Sequence, residues 1–385
     1  MIDKNKMPVV LGVAFVWFTT QFGGGFASGA QLYQYFLAFG VWAIITPVLA
    51  QAFGAFYQWY GLKYARKHEV YDYRSFNDSF YGKYAPIFSN LYEIIYIALL
   101  CVAPSVAFAT GGSTMEKVTG LPYMVCTAII GLFIFVISIY GTNLVRKAAS
   151  TLSVIIIVGL LVVYIPNIIV RWHDISATFG MMIANPTPIG PAMWKCFLYG
   201  AFQLASIGLL FQHAKPFKDP SEAGKSMWLG FFVNAILIMM CTLGLMAVAM
   251  DPDIEKVAVP TLRLIENGVG ASFMTPIISI LIILGAVSTA VNMVAGMVNR
   301  ITSKFEKQEE QVAANGKPTK MTIISALLFT LLAFAIAQFG LLPLVSKGYG
   351  LLGYMTIPVI VIPYIVHMIV TKFDTKTPAT AETNS

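Results

Sequence analysis

The sequence predicts an all-α membrane protein of ten transmembrane helices, ordered as a 5+5 inverted repeat, with helices 1 and 6 broken near the bilayer midplane. Three observations predict it. The 385 residues are 57% hydrophobic and only 11% charged, whereas a soluble domain carries about 25% charged residues. Windows of about 20 apolar residues, enough to cross hydrocarbon, recur ten times. The first window also contains Gln21-Phe22-Gly23-Gly24-Gly25-Phe26-Ala27-Ser28-Gly29, a glycine-rich run in mid-span.

The windows lie near residues 8–38, 40–62, 86–111, 121–142, 149–170, 191–212, 227–250, 271–299, 321–341 and 346–371. With the N-terminus inside, Lys117, Arg171, Lys195, Lys256, Arg263 and Lys347 fall in outer connections, and every other one of the 25 lysines and arginines falls inside. This bias places both termini in the cytoplasm and supports an even number of spans; the expected location is the cytoplasmic (inner) membrane, crossed several times. The net charge of +7 is therefore topological, and no nucleic-acid partner is expected. Residues 1–6 are polar and lead into a long apolar segment with no small-residue cleavage site, which reads as an uncleaved anchor. Cys101, Cys126, Cys196 and Cys241 have no paired spacing and read as small core residues.

In span 1, contiguous glycines weaken a helix. An unwound backbone at membrane depth is tolerated where it faces protein or a water-filled cavity. Close helix packing is the alternative, but packing glycines recur every fourth residue. Span 2 holds Pro47 and leads into a basic, aromatic inner loop at 60–83. Span 3 carries Glu93 near its inner end and Pro104 beyond its middle. Spans 4 and 5 are joined by a tight inner loop at 141–147, which predicts antiparallel neighbours. A long, proline-rich outer connection at 171–191 divides the chain into repeats at 7–170 and 191–371, followed by a cytoplasmic tail at 372–385.

If the halves are inverted repeats, span 6 should be interrupted as span 1 is. It reads Tyr199-Gly200-Ala201-Phe202-Gln203-Leu204-Ala205-Ser206-Ile207-Gly208, a weaker break in the expected place. The outer loop at 251–270 contains a short helical pattern from Pro260 ended by Gly268, read either as a lid or as a surface cap. The inner loop at 304–320 and the tail read as solvated or disordered.

In span 8, Gly285, Ser288, Thr289 and Asn292 share one helical face. Such hydroxyls can simply bond back to their own turn. They can also contribute to an oxygen shell for a small hard cation, completed by carbonyls freed in span 1, best placed at Thr20 and Gly23. The helix resuming near Ala27 would present free N–H groups to a carboxylate. Gln203 and Ser206 would supply oxygens for an amine, with Tyr199 four residues before Gln203. Glu93 reads as an interfacial residue, or alternatively as a titrating intramembrane carboxylate. His68, His173, His213 and His367 lie at span ends or in loops, mutually distant in topology.

The run Gly23-Gly24-Gly25-Phe26-Ala27-Ser28-Gly29, followed by Leu32-Tyr33-Gln34-Tyr35-Phe36, resembles the first-helix motif of YkvI-type membrane proteins. That family is placed in the amino acid–polyamine–organocation superfamily, with the LeuT fold. The motif runs approximately Gly-Ala-Gly-Phe-Ala-(Ser/Thr)-Gly-Gln-Glu; this chain has Ala30-Gln31 where Gln-Glu is expected. Thr20, Gly23, Gly285, Ser288 and Thr289 are similar in spacing to the conserved sodium site of Na⁺-coupled members of that fold. The resemblance implies a transporter and no enzyme, with Na⁺ as coupling ion and no organic cofactor.

The expected activity is Na⁺-coupled symport of a small zwitterionic solute, an amino acid or close derivative. The expected solute contacts are Gly24, Gly25, Ala27, Ser28, Gly29, Tyr199, Gln203 and Ser206. Beyond solute and lipid bilayer the sequence specifies no partner and no oligomeric state. The rivals are proton-coupled or exchange transport of an amine or polyamine, with Glu93 titrating, and a non-transporting, ligand-sensing membrane receptor of the same fold.

Overall fold

All ten windows are helical over the residues that the structure, a computed structural model, describes: 8–140, 142–266, 268–305 and 318–375. Span 1 is three pieces, α1 (Val9–Gln21), α2 (Gly24–Ala27) and α3 (Ala30–Tyr35). The predicted start of span 2 is instead a separate 3-10 segment, Leu37–Ile44, bent by 76° from α4 (Thr46–His68). Gly40, at φ 62°, makes the turn, and Pro47 in the first turn of α4 suits a helix start.

The loop expected at 60–83 is largely helix. α4 continues to His68, and an amphipathic α5 (Tyr73–Tyr81) follows, capped by Asp72, which accepts from the amides of Arg74 and Ser75 at 3.0 and 2.9 Å. Spans 3 to 5 are α6 (Ala85–Thr119), α7 (Tyr123–Tyr140) and α8 (Thr142–Val170). The expected loop at 141–147 is therefore helical from Thr142, and Gly141 lies outside the described residues. The connection after span 5 holds α9 (Trp172–Ala184), bent by 76° from the end of α8.

Span 6 begins as α10 (Ile189–Gln203) and tightens into 3-10 turns at Leu204–Leu209 and Phe211–Ala214. The Gly208 amide there donates to the Tyr92 hydroxyl at 2.9 Å. Span 7 is α11 (Ser221–Met246), and the outer loop contains α12 (Pro260–Glu266). Spans 8 to 10 are α13 (Ala271–Phe305), α14 (Lys320–Ala337) and α15 (Leu341–Val370), the last passing through two π turns. Among the described residues five helices are long and apolar enough to cross a membrane, or seven if each bent pair is one span. Most of the inner loop expected at 304–320 falls outside the described residues.

The tail departs from the expectation of a solvated segment. Asp374 is only 5% exposed, with His68 Nε2 at 3.1 Å and Lys67 Nζ at 3.3 Å, while Lys63 donates to the Phe373 carbonyl at 2.8 Å. Residues beyond 375 lie outside the described residues. The histidines are not all distant either: Tyr64 stacks on His68 and meets His367 edge-on, and the Tyr60 hydroxyl is 2.7 Å from His367 Nδ1.

Two packing groups result. One joins α1, α4, α10 and α11; the other joins α6, α7, α13 and α14, and α2 is pressed against α6 and α13 of this second group. Within the first, Trp17 is fully buried between two glycine faces. An ideal Cβ at Gly230 would lie 2.6 Å from Trp17 Cε3, and one at Gly54 would lie 3.4 Å from Cζ2. Gly230→Ala is therefore expected to destabilise by about 1–3 kcal/mol through overpacking, read as a lower Tm in detergent. Gly180→Ala, whose added Cβ meets nothing within 4 Å, should leave Tm unchanged or raise it slightly.

Candidate functional site

The break in span 1 spans only two residues. The Phe22 amide still reaches the Phe18 carbonyl at 2.9 Å, but Gly23 is extended at φ −81° and ψ −175°. Its carbonyl accepts from both Phe26 and Ala27 at 3.1 Å, which starts α2 at once. The free N–H groups therefore do not begin near Ala27 as expected. Ala27 bonds Gly23 and Ser28 bonds the Gly24 carbonyl, which leaves the Gly24 and Gly25 amides without a backbone acceptor among the described residues. On the other side of the break, no backbone amide among the described residues reaches the carbonyls of Thr19, Thr20 or Gln21.

A cavity of about 220 Å³ opens beside those carbonyls. Thr19 and Thr20 of α1, Ile156 of α8, Gln212 and His213 of span 6, and Gly285, Ser288, Thr289 and Asn292 of α13 all line it. Four of the five residues read as a cation site thus share one space. Gly23, the fifth, is adjacent, since a Cβ there would lie 3.4 Å from Thr289 Oγ1, but its carbonyl is already occupied twice. The Thr289 hydroxyl donates to the Gly285 carbonyl at 3.0 Å, and Thr20 donates to Val16 at 2.8 Å. Each hydroxyl has spent its proton on its own turn, so the oxygen lone pairs that remain can only accept.

Gln212 and His213 do not stand out in the sequence at α-helical spacing. The 3-10 winding after Gln203 has three residues per turn, so Ser206, Leu209 and Gln212 share one face. The spacing of three between Gln203 and Ser206, repeated to Gln212, was the available signal.

The expected solute contacts lie elsewhere, and none lines this cavity. Gly24 is packed against Ala286 and Thr110, and Gly25 against Val106 and the Gln31 amide. Ala27 is half-buried and Ser28 fully buried, its hydroxyl donating to the Gly25 carbonyl at 2.9 Å. In span 6, Gln203 Nε2 donates to the Tyr199 hydroxyl at 3.2 Å, and Ser206 donates to the Gln203 carbonyl at 2.8 Å. The Tyr199 ring meets Tyr35 and Phe36 at 5.4 and 4.9 Å between centroids. Spans 1 and 6 therefore meet here through aromatic rings.

The far side of the break is covered. α12 buries Pro260, Thr261, Leu262, Leu264 and Ile265. The Thr261 amide donates to the Ser28 carbonyl at 3.0 Å, and its hydroxyl is 2.9 Å from that of Tyr164. Gly29, at φ 83°, lies directly beneath: a Cβ there would be 2.9 Å from Thr261 Oγ1. Glu93 is neither isolated nor simply facing water. It pairs with Arg300 and accepts from the Tyr73 hydroxyl at 2.9 Å, and the Arg300 guanidinium lies over the rings of Tyr73 and Tyr96.

No protein-family model matches the sequence, and no curated protein matches it. Solved structures do match in fold. The manganese transporter of Eremococcus coleocola, in complex with an aromatic bis-isothiourea substituted compound, is 14% identical with a TM-score of 0.54, over 94% of this chain and 78% of that one. A point mutant of the same transporter is 12% identical, also with a TM-score of 0.54, over 94% and 79%. At such identities the likeness is one of fold, a LeuT-type arrangement of membrane helices.

Gly29→Ala is expected to lower stability by about 1–2 kcal/mol from the left-handed backbone alone, with the contact to Thr261 adding to it. The same substitution should raise the rate at which a thiol reagent labels Thr261→Cys. An unchanged rate would mean that α12 is not held by this contact.

Proposed function

We propose that this chain is a secondary transporter that couples sodium to the uptake of a small zwitterionic solute, an amino acid or close derivative. The observation that carries the proposal is the cavity where Thr20 of a broken helix faces Gly285, Ser288 and Thr289. The Thr19 and Thr20 carbonyls have no backbone donors among the described residues, and the Thr20 and Thr289 hydroxyls turn their protons to their own helices. Together they give an uncharged oxygen lining, which suits a monovalent hard cation. A divalent metal as substrate is disfavoured, because the lining offers one imidazole and no carboxylate.

The two five-helix repeats, 7–170 and 191–371, would supply the moving and static parts. The group of α1, α4, α10 and α11 would rock against that of α6, α7, α13 and α14. Thr19, Gln212 and Asn292 are exposed at the cavity, on the side facing the cytoplasm if both termini are inside, while α12 covers the other side. That asymmetry supports an inward-facing state. The solute's carboxylate would meet the Gly24 and Gly25 amides once α12 lifts from Ser28 and Gly29, with Ala27 and the Tyr199, Gln203 and Ser206 oxygens bounding its other end. Sodium would couple to the solute by binding the outward-facing state more tightly.

A ligand-free thermal-shift series tests the cation. Sodium at about a hundred times its Kd should stabilise by about 2.7 kcal/mol; potassium should not, and Ser288→Ala should lose the shift. Equal shifts in both salts would sink the sodium assignment. In proteoliposomes, Glu93→Gln should lower stability, because Arg300 loses its carboxylate counter-charge, yet keep sodium-dependent uptake. Loss of uptake in Glu93→Gln with a silent Ser288→Ala would instead establish the proton-coupled amine transporter. Ligand binding without counterflow would establish the receptor.

A further inference from the structure

α4 and α11 run side by side in the first packing group, and their outer surfaces enclose an apolar groove of about 370 Å³. Small residues, Ala52, Ala55 and Gly224, leave space, while aromatic side chains including Phe56, Trp59 and Trp228 wall it. Trp228 is 64% exposed and Phe56 41%, so the groove is open to whatever surrounds the protein.

One end of the groove is chemically distinct. A Cβ on Gly224 would lie 3.6 Å from Trp59 Nε1, which sets these two residues at the same level. One turn further along α4, the Lys63 ammonium sits 5.7 Å over the Trp59 ring and spends one of its three N–H groups on the Phe373 carbonyl, and the exposed Lys225 is next to Gly224 on α11. The Trp59 indole N–H has no hydrogen-bond acceptor among the described residues. Apolar walls, an indole donor and the Lys63 ammonium thus follow one another along α4, in the order of acyl chain, ester and anionic headgroup, with the backbone of the exposed Lys225 at the level of the indole. Tryptophans at this depth mark the interface of a bilayer.

We propose that this groove binds one anionic phospholipid from the leaflet on the basic side, with an acyl chain against Ala52, Ala55 and Trp228 and its headgroup at Lys63 and Lys225. The apolar length alone would accept any lipid; the two lysines select the anionic one. Each basic residue near a headgroup is worth about fivefold in affinity, so anionic lipid should be preferred about 25-fold.

The test uses the full chain in phosphatidylcholine vesicles doped with either phosphatidylglycerol or phosphatidylcholine carrying brominated acyl chains, with tryptophan fluorescence as readout. Brominated phosphatidylglycerol should quench at about a 25-fold lower mole fraction than brominated phosphatidylcholine, falling to about fivefold in Lys225→Gln and to parity in Lys63→Gln/Lys225→Gln. Trp59→Phe/Trp228→Phe, which removes both tryptophans of the groove, should remove the saturable component. Ala55→Phe, which fills the groove without touching charge, should do the same. Equal quenching by both lipids in the native chain overturns the proposal. So does an absence of quenching by either, which would mean that a second copy or another protein covers the groove.

Discussion

A peptide group in hydrocarbon must find a hydrogen-bond partner, and the interruption at Phe22 and Gly23 is where this protein leaves some of them without one. The extended Gly23 restarts the helix within a single residue by accepting two amides at its own carbonyl. The carbonyls of Thr19, Thr20 and Gln21 on one side, and the amides of Gly24 and Gly25 on the other, are what remain. A break this short concentrates unpaired acceptors on one side and unpaired donors on the other. Cation and carboxylate chemistry could then share one helix without any charged side chain.

The surroundings of the break are asymmetric. Acceptor oxygens of α13 face it across an open cavity, whereas α12 closes over Ser28 and Gly29 with five buried residues and a backbone hydrogen bond. Hydroxyls bonded to their own turn are commonly taken as structurally idle. At Thr20 and Thr289 the same bond fixes the orientation of the lone pairs. The back-bonding and the proposed cation site are therefore compatible.

Further polar contacts tie span 6 to α6, α5 to α6 and α13, and the residues after α15 to α4. Tyr92 of α6 takes the Gly208 amide of span 6, and Tyr73 of α5 reaches Glu93, which Arg300 of α13 neutralises. Both Glu93 and Arg300 are about a quarter exposed (26%), so their pairing is shielded enough to matter yet reachable by water. Asp374 fastens the end of α15 to α4 through His68 and Lys67. A movement of one packing group against the other would have to exchange the Tyr92 contact.

The membrane class, the order of the helices and the first break were legible in the sequence, because hydropathy, lysine placement and contiguous glycine are local properties of the chain. The helical face carrying Gly285, Ser288 and Thr289 was legible too, since α13 keeps the regular period along which it was read. What the sequence could not decide was what those residues face. Gly23 reads as a free carbonyl until the geometry shows two amides converging on it. Glu93 reads as a lone carboxylate until Arg300, more than 200 positions away, is folded against it. His213 reads as a span-end residue until 3-10 winding turns span 6 toward the cavity. Periodicity reports which side chains share a face of one helix; only the packing of several helices determines which faces meet.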